Sequence, residues 1–159
     1  PDPRGYSSNH RTTDGVRAGM DEQDEVKQNT PLAKDVMATD LVTLTPTDDI
    51  WDAIRTLVDR RISGAPVVDD QGALVGILTE RDCLRLFTKG TAEGLPGGDV
   101  ADFMTTSVVT VHPDMSVFTL ASIFRHNAYR RLPVCEGEAL VGQVSRRDLL
   151  SVMLQIGQK

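Results

Sequence analysis

An offset of 67 residues lays this chain on itself. Asp35-Val36-Met37 then falls on Asp102-Phe103-Met104, Val42-Thr43 on Val109-Thr110, Pro46 on Pro113 and Pro66 on Pro133. Past the second of those prolines the offset drops to 66, because the polar stretch between Val68 and Leu74 is one residue longer than the one between Cys135 and Leu140. An insertion is best tolerated in such a turn. The new offset aligns Gly76-Ile77-Leu78-Thr79-Glu80-Arg81-Asp82 with Gly142-Gln143-Val144-Ser145-Arg146-Arg147-Asp148. Two copies are too few for a solenoid, which generally needs three or more units to bury a continuous core. They predict two equivalent halves packed on each other.

Each half gives the same reading. A short β run (41–44, then 108–111) meets a proline, and Asp49 or Ser116 stands where a helix N-cap belongs. Ile50, Ala53, Ile54, Leu57 and Val58 follow the i, i+3, i+4, i+7, i+8 spacing of a buried helix face, as do Val117, Leu120, Ala121 and Phe124. Two further apolar runs around a polar, glycine-containing turn predict a hairpin: 65–68 with 74–78, and 132–135 with 140–144. Segments 82–87 and 148–154 close the halves as helices. The expected fold is α+β, two pseudo-symmetric β-α-β-β-α repeats packed through their sheets into one compact module. Residues 1–30 show neither helical nor strand periodicity and read as a flexible N-terminal arm. The first repeat is expected over 31–89, a Gly-rich linker over 90–98 and the second repeat over 99–159.

Composition narrows the function. With 17 basic and 23 acidic residues the net charge is −6, which argues against a broad nucleic-acid or anionic-membrane surface while leaving room for local basic pockets. No apolar run reaches the ~18–20 residues of a membrane span. Cys83 and Cys135 lack a CxxC spacing and a signal-peptide pattern, so reduced thiols and a cytoplasmic setting are expected. His10, His112 and His126 form no metal-ligand spacing, and neither a G-x-S-x-G nor a P-loop motif is present. Asp48, Asp49 and Asp52 suit the first turn of a helix through its dipole. No catalytic or metal site is therefore expected. Trp51, off the apolar stripe, is expected to be exposed or to make a subunit contact.

The repeated Thr79-x-x-Asp82 and Ser145-x-x-Asp148 have two readings. Hydroxyl and carboxylate three residues apart, between a strand and a helix, form a capping box in which each side chain satisfies a backbone N–H. The same helix start offers free N–H groups and positive dipole to a phosphate, and its carboxylate can accept from ribose hydroxyls. Spacing does not choose between them.

Taken together, the Asp-Val-Met and Asp-Phe-Met starts, the 64–68 and 131–135 proline runs and the two G-x-x-(T/S)-x-R-D endings resemble a tandem pair of CBS domains, a Bateman module, over residues 31–154. The resemblance implies a non-catalytic regulatory or sensor module whose clefts bind an adenosine-containing nucleotide: AMP, ADP or ATP, with magnesium present only if it accompanies the nucleotide. It implies that Thr79 with Asp82, and Ser145 with Asp148, hold ribose and phosphate. The main chain at Ala65 and Leu132 would read the adenine edge, and Met37, Val42, Met104 and Val109 would touch the base. Arg130-Arg131, where the first copy has Ser63-Gly64, would make the second half the better nucleotide site, since guanidinium matches phosphate oxygens bidentately; the alternative is a solvated surface pair. Arg60-Arg61 reads as surface. Expected partners are the small molecule, a second copy of the chain docked through the Ile50–Arg60 and Val117–Arg125 helices, and a regulated protein. The alternative is a purely structural dimerisation module with no bound nucleotide.

Overall fold

The computed structural model describes residues 29–90 and 92–158, so the expected N-terminal arm lies outside it except for its last two residues. Pro31–Lys159 forms one compact unit. Its elements run α1 (Ala33–Val36), α2 (Ile50–Arg60), β1 (Gly64–Val68), β2 (Leu74–Thr79), α3 (Glu80–Thr88), α4 (Val100–Phe103), α5 (Val117–His126), β3 (Arg131–Glu136), β4 (Ala139–Ser145) and α6 (Arg146–Gly157). The α+β repeat architecture expected from the sequence is present. β1 pairs antiparallel with β2, Gly64 opposite Thr79, and β3 with β4, Arg131 opposite Ser145. Both hairpins carry a register shift at the same place, Val67/Val68 and Val134/Cys135.

The leading β run of each repeat shrinks to a single parallel bridge, Leu44 on Val67 and Val111 on Val134. Prolines explain why. The Leu44 N–H donates to Pro66 O and Leu44 O accepts from Val68 N. Continuing that parallel ladder backwards needs an N–H on Pro66, and continuing it forwards needs one on Pro46. Neither proline has a proton to give. Pro113 and Pro133 bound the Val111 bridge in the same way.

Capping proceeds as the sequence predicts. Asp49 Oδ1 accepts from Trp51 N and Asp52 N at 2.8 and 3.2 Å, and Ser116 Oγ accepts from Thr119 N at 3.2 Å. Ile50, Ala53 and Leu57 are buried, as are Val117, Leu120 and Phe124. The expected stripe was too wide at its edge. Val58 is 69% exposed, because eight residues at 100° each carry it about 80° around the helix from Ile50, and Ala121 also faces outward.

The core divides in two, and each part borrows from the other repeat. Val100 and Phe103 of α4, from the second repeat, pack with Ile50, Leu78 and Leu86 of the first. Ala33 of α1, from the first repeat, packs with Leu120, Leu132 and Val144 of the second. Backbone pairing fixes the exchange: Ala38 and Gln143 trade N–H···O bonds of 2.9 and 3.0 Å, and Thr105 and Ile77 trade bonds of 2.8 and 2.9 Å. The hairpin tips also join, Leu74 N donating to Glu138 O and Leu140 N to Gly72 O. Neither repeat completes its core alone. Cys135 is buried and Cys83 half-buried, and burial pushes both thiols up, which keeps them protonated and poorly nucleophilic.

Candidate functional site

The two hydroxyl-aspartate pairs sit at identical strand-to-helix junctions and differ in what remains of their hydrogen-bonding capacity. At the first, Asp82 Oδ2 accepts from Thr79 N and Thr79 Oγ1, both at 3.0 Å, while Asp82 N donates to Thr79 Oγ1 at 3.2 Å. Its other oxygen, Oδ1, accepts from Thr105 Oγ1 at 3.0 Å. Arg85 Nη2 stands 3.7 Å from Oδ1 and also donates to Phe103 O. Asp82 is only 8% exposed. Its carboxylate is spent inside the protein, tying the segment after α4 to the start of α3.

At the second junction the capping box is the same: Asp148 Oδ2 accepts from Ser145 N at 2.7 Å and Asp148 N donates to Ser145 Oγ at 3.2 Å. Here Oδ1 meets no donor among the described residues. The cause lies in the exchanged segments. The residue that pairs with β4 as Thr105 pairs with β2 is Ala38, which has no hydroxyl. Arg85 is replaced by Ser151, whose hydroxyl turns back to Arg147 O at 3.2 Å.

Ser145 also lines a cleft of about 970 Å³ between the repeats. The second repeat supplies Arg130, Arg131, Arg146 and Arg147, and the first supplies Leu57, Val58, Arg61, Ile62, Ser63 and Glu80. Five arginines and one acidic residue thus line this cleft, in a chain whose net charge is −6. Among the described residues none of the five stands in an ion pair. Arg146 is oriented by Tyr129 O, to which its Nε donates at 2.9 Å. Arg61 is set by the end of α2, in a left-handed cap with φ of 54°.

The other predicted site residues fall around this frame. Ala65 and Leu132 are buried in β1 and β3, paired across the hairpins with Leu78 and Val144. Val42 is half-buried, and Val109 is 46% exposed. Met37 lies over Gly142 of β4, and Met104 over Gly76 of β2. Each methionine therefore accompanies the capping pair of the opposite repeat. A second cavity of about 330 Å³, lined by Asp69, Thr106, Cys135 and Glu138 among others, includes none of the predicted residues. His112 sits beside Asp114, which binds Lys34 Nζ at 3.0 Å; that pairing holds the Asp114 carboxyl down and the Lys34 ammonium up, and it links α1 to the second repeat. Among the described residues no three His, Cys, Asp or Glu side chains gather as a metal site, and no helix is long and apolar enough to cross a membrane.

Sequence reasoning missed Thr105, Arg85 and three of the cleft arginines. Arg146 and Arg147 stood in the repeated motif, opposite Glu80 and Arg81, and Thr105 stood opposite Ala38, so those contrasts were available. Arg61 carried no sequence signal; it reaches the cleft only because α2 ends there.

Two β-β-α repeats, each leading with a segment exchanged to its twin, define a paired module with a ligand-sized cleft between the halves. The CBS domain family model matches residues 33–89 and 100–155, and the chain belongs to the CBS domain family as a tandem pair, a Bateman module. It is similar to YhcV, a CBS domain-containing protein of Bacillus subtilis, at 34% identity over 73% of this chain and 81% of YhcV. Among solved structures it resembles CBSX2 of Arabidopsis thaliana in complex with AMP, at 29% identity and a TM-score of 0.69 over 79% of this chain and 98% of that one. It also resembles the CBS domain pair of MJ0100 in complex with 5-methylthioadenosine and S-adenosyl-L-methionine, at 27% identity and a TM-score of 0.64 over 82% and 99%. The chain spans only 43% of one relative from Methanocaldococcus jannaschii, MJ1225, and 25% of another, an inosine-5'-monophosphate dehydrogenase.

Proposed function

We propose that this module is non-catalytic and regulatory, binding an adenosine-containing nucleotide at the Ser145–Asp148 junction and reporting occupancy by a shift between its two halves. The observation that carries this reading is the Oδ1 of Asp148, without a donor among the described residues, in a capping box whose Ser145 lines the arginine cleft, against a twin aspartate whose oxygens are both engaged. A carboxylate oxygen with no internal donor suits the vicinal hydroxyls of a ribose. The N-terminus of α6 and Arg131 suit the phosphate that follows. Met37 and Val42, carried over by the exchanged segment, offer apolar contact to the base. A ligand so held touches both repeats, and it shifts their arrangement only by binding one geometry better than another. The complexes of CBSX2 with AMP and of MJ0100 with 5-methylthioadenosine and S-adenosyl-L-methionine support an adenosine-containing ligand, and the first of them a phosphorylated one.

Thermal denaturation with AMP, ADP and ATP tests the proposal. A ligand at about 100 times its Kd adds roughly 2.7 kcal/mol to the folded state. The expected result is an upward shift in the wild type that disappears in Asp148→Ala and persists in Asp82→Ala. No shift with any of the three nucleotides, or equal loss in both variants, rejects it.

The dimerisation reading has its own support. Leu84 and Phe87 on α3 and Leu150, Met153 and Leu154 on α6 are all more than half exposed, a heavier apolar surface than that of α2 and α5, where the interface was expected. A second copy of the chain paired through these helices is the occupant such a surface suits. Sedimentation should give a dimer for the wild type and a monomer for Phe87→Asp combined with Met153→Asp; a wild type that stays monomeric at high concentration removes this element.

A further inference from the structure

The backbone bridge that each repeat lends to the other also carries a side chain. Thr105 pairs with Ile77 of β2, and at the equivalent place in the other half Ala38 pairs with Gln143 of β4. Thr105 brings a hydroxyl to 3.0 Å from Asp82 Oδ1, whereas Ala38 ends at its Cβ and has no donor to offer Asp148. Oδ2 of each aspartate is committed to its own helix start, to Thr79 N in one case and Ser145 N in the other, so Oδ1 is the oxygen through which either can take a further donor. Arg85 does not fill that role at Asp82. Its Nη2 stands 3.7 Å from Oδ1, longer than a hydrogen bond, and its guanidinium donates to Asp82 O and Phe103 O instead. Exposure follows the same division: Asp82 is buried, Asp148 is half-buried, and Ser145 lines the large cleft while Thr79 does not. A ligand hydroxyl arriving at Asp82 must first break the Thr105 bond and forfeits its net worth; one arriving at Asp148 displaces only water.

We propose that the bridge residue decides which junction takes the ligand: Thr105 disfavours the first, Ala38 leaves the second open, and Asp148 therefore fills before Asp82. This rests on the nucleotide reading above and adds to it the order of filling and the residue that sets it. The determinant lies in neither capping box but in the opposite repeat, so each half controls the site of its twin. Thr105 and Ala38 are both exposed, and either can be changed without repacking a core. Exchanging the residues at 38 and 105 should move the preferred site from one junction to the other.

Calorimetric titration of the full chain with AMP tests this. Ala38→Thr should weaken AMP about three- to tenfold relative to Ala38→Val, which has the same shape without the hydroxyl. The 2′,3′-dideoxy analogue of AMP, which lacks the vicinal hydroxyls, should not distinguish the two variants. In an Asp148→Ala chain, where only the first junction keeps its carboxylate, Thr105→Val should tighten adenosine by about the same factor, and adding Asp82→Ala should cancel the gain. Thr and Val at position 38 weakening AMP equally, the dideoxy analogue losing as much as AMP, or Thr105→Val leaving adenosine unchanged would overturn the proposal and leave the nucleotide reading in place. Absence of binding in every variant removes the nucleotide reading instead, and the bridge is then judged without ligand. Ala38→Thr should unfold at a higher urea midpoint than Ala38→Val, by a margin that Asp148→Ala abolishes. That margin would keep the bridge residue as the group that engages or frees each carboxylate, and its absence would overturn this as well.

Discussion

Asp82→Ala should destabilise the fold by about 2–3 kcal/mol, lowering the melting temperature by roughly 5–10 °C for a unit of this size. The capping box alone accounts for about 0.5–2 kcal/mol. The remainder comes from the bonds that the buried Asp82 carboxylate makes to Thr105 Oγ1 and Arg85, about 0.5–1.5 kcal/mol for each, since both partners reach water when it is removed. Asp148→Ala provides the contrast. It loses a capping box of the same geometry and strands no second partner, so its cost should stay near 1 kcal/mol. Urea denaturation of the two variants gives both numbers. Equal losses would mean that Thr105 and Arg85 contribute nothing through Asp82. Thr105→Val should reproduce part of the Asp82→Ala loss and add little to it in the double variant, because both remove the same bond. With nucleotide the order reverses: Asp82→Ala remains responsive and Asp148→Ala does not. On the proposed function the two pseudo-equivalent motifs divide the two sequence readings between them, the first a structural tie and the second a capping box with an oxygen left for a ligand.

That division could not be read from the motif. Thr79-x-x-Asp82 and Ser145-x-x-Asp148 are chemically alike, and each builds the capping box its spacing predicts. What separates them is a residue from the opposite repeat, Thr105 in one case and Ala38 in the other, delivered by a β-bridge across the pseudo-twofold. Local pattern carries hairpins, caps and helix faces because these are set by neighbours in sequence: Asp49 and Ser116 cap as expected, and both hairpins form. It carries no information on which copy of a repeated segment packs on which copy of the core. For the same reason Met37 and Met104, expected beside a nucleotide, could not be assigned to one junction or the other. The leading strands failed for a more local reason, the paired prolines at 46 and 66 and at 113 and 133, whose positions were visible but whose parallel register was not.

The exchange also predicts which glycines the module cannot give up. Gly142→Val should cost about 3 kcal/mol and loosen the segment around Met37. A Cβ at this position meets Met37 Sδ and comes within 3.0 Å of Ala38 O, the carbonyl that accepts from Gln143 N. The sulfur can move; the carbonyl moves only if the bridge opens, and overpacking of this kind costs about 1–3 kcal/mol, more for a branched side chain. Gly76 faces the same pair of obstacles from the other repeat, Met104 Sδ at 2.7 Å and Thr105 O at 2.9 Å. Amide exchange should therefore accelerate at Ala38 and Gln143 in Gly142→Val while remaining slow at Ile77 and Thr105. Adding Met37→Ala removes the sulfur clash and leaves the carbonyl clash, so the double variant should recover only part of the loss. Full recovery would show that side-chain crowding alone excludes a larger residue. Partial recovery, with exchange still fast at Ala38, locates the constraint in the backbone bridge by which the leading segment of one repeat pairs with the hairpin of the other.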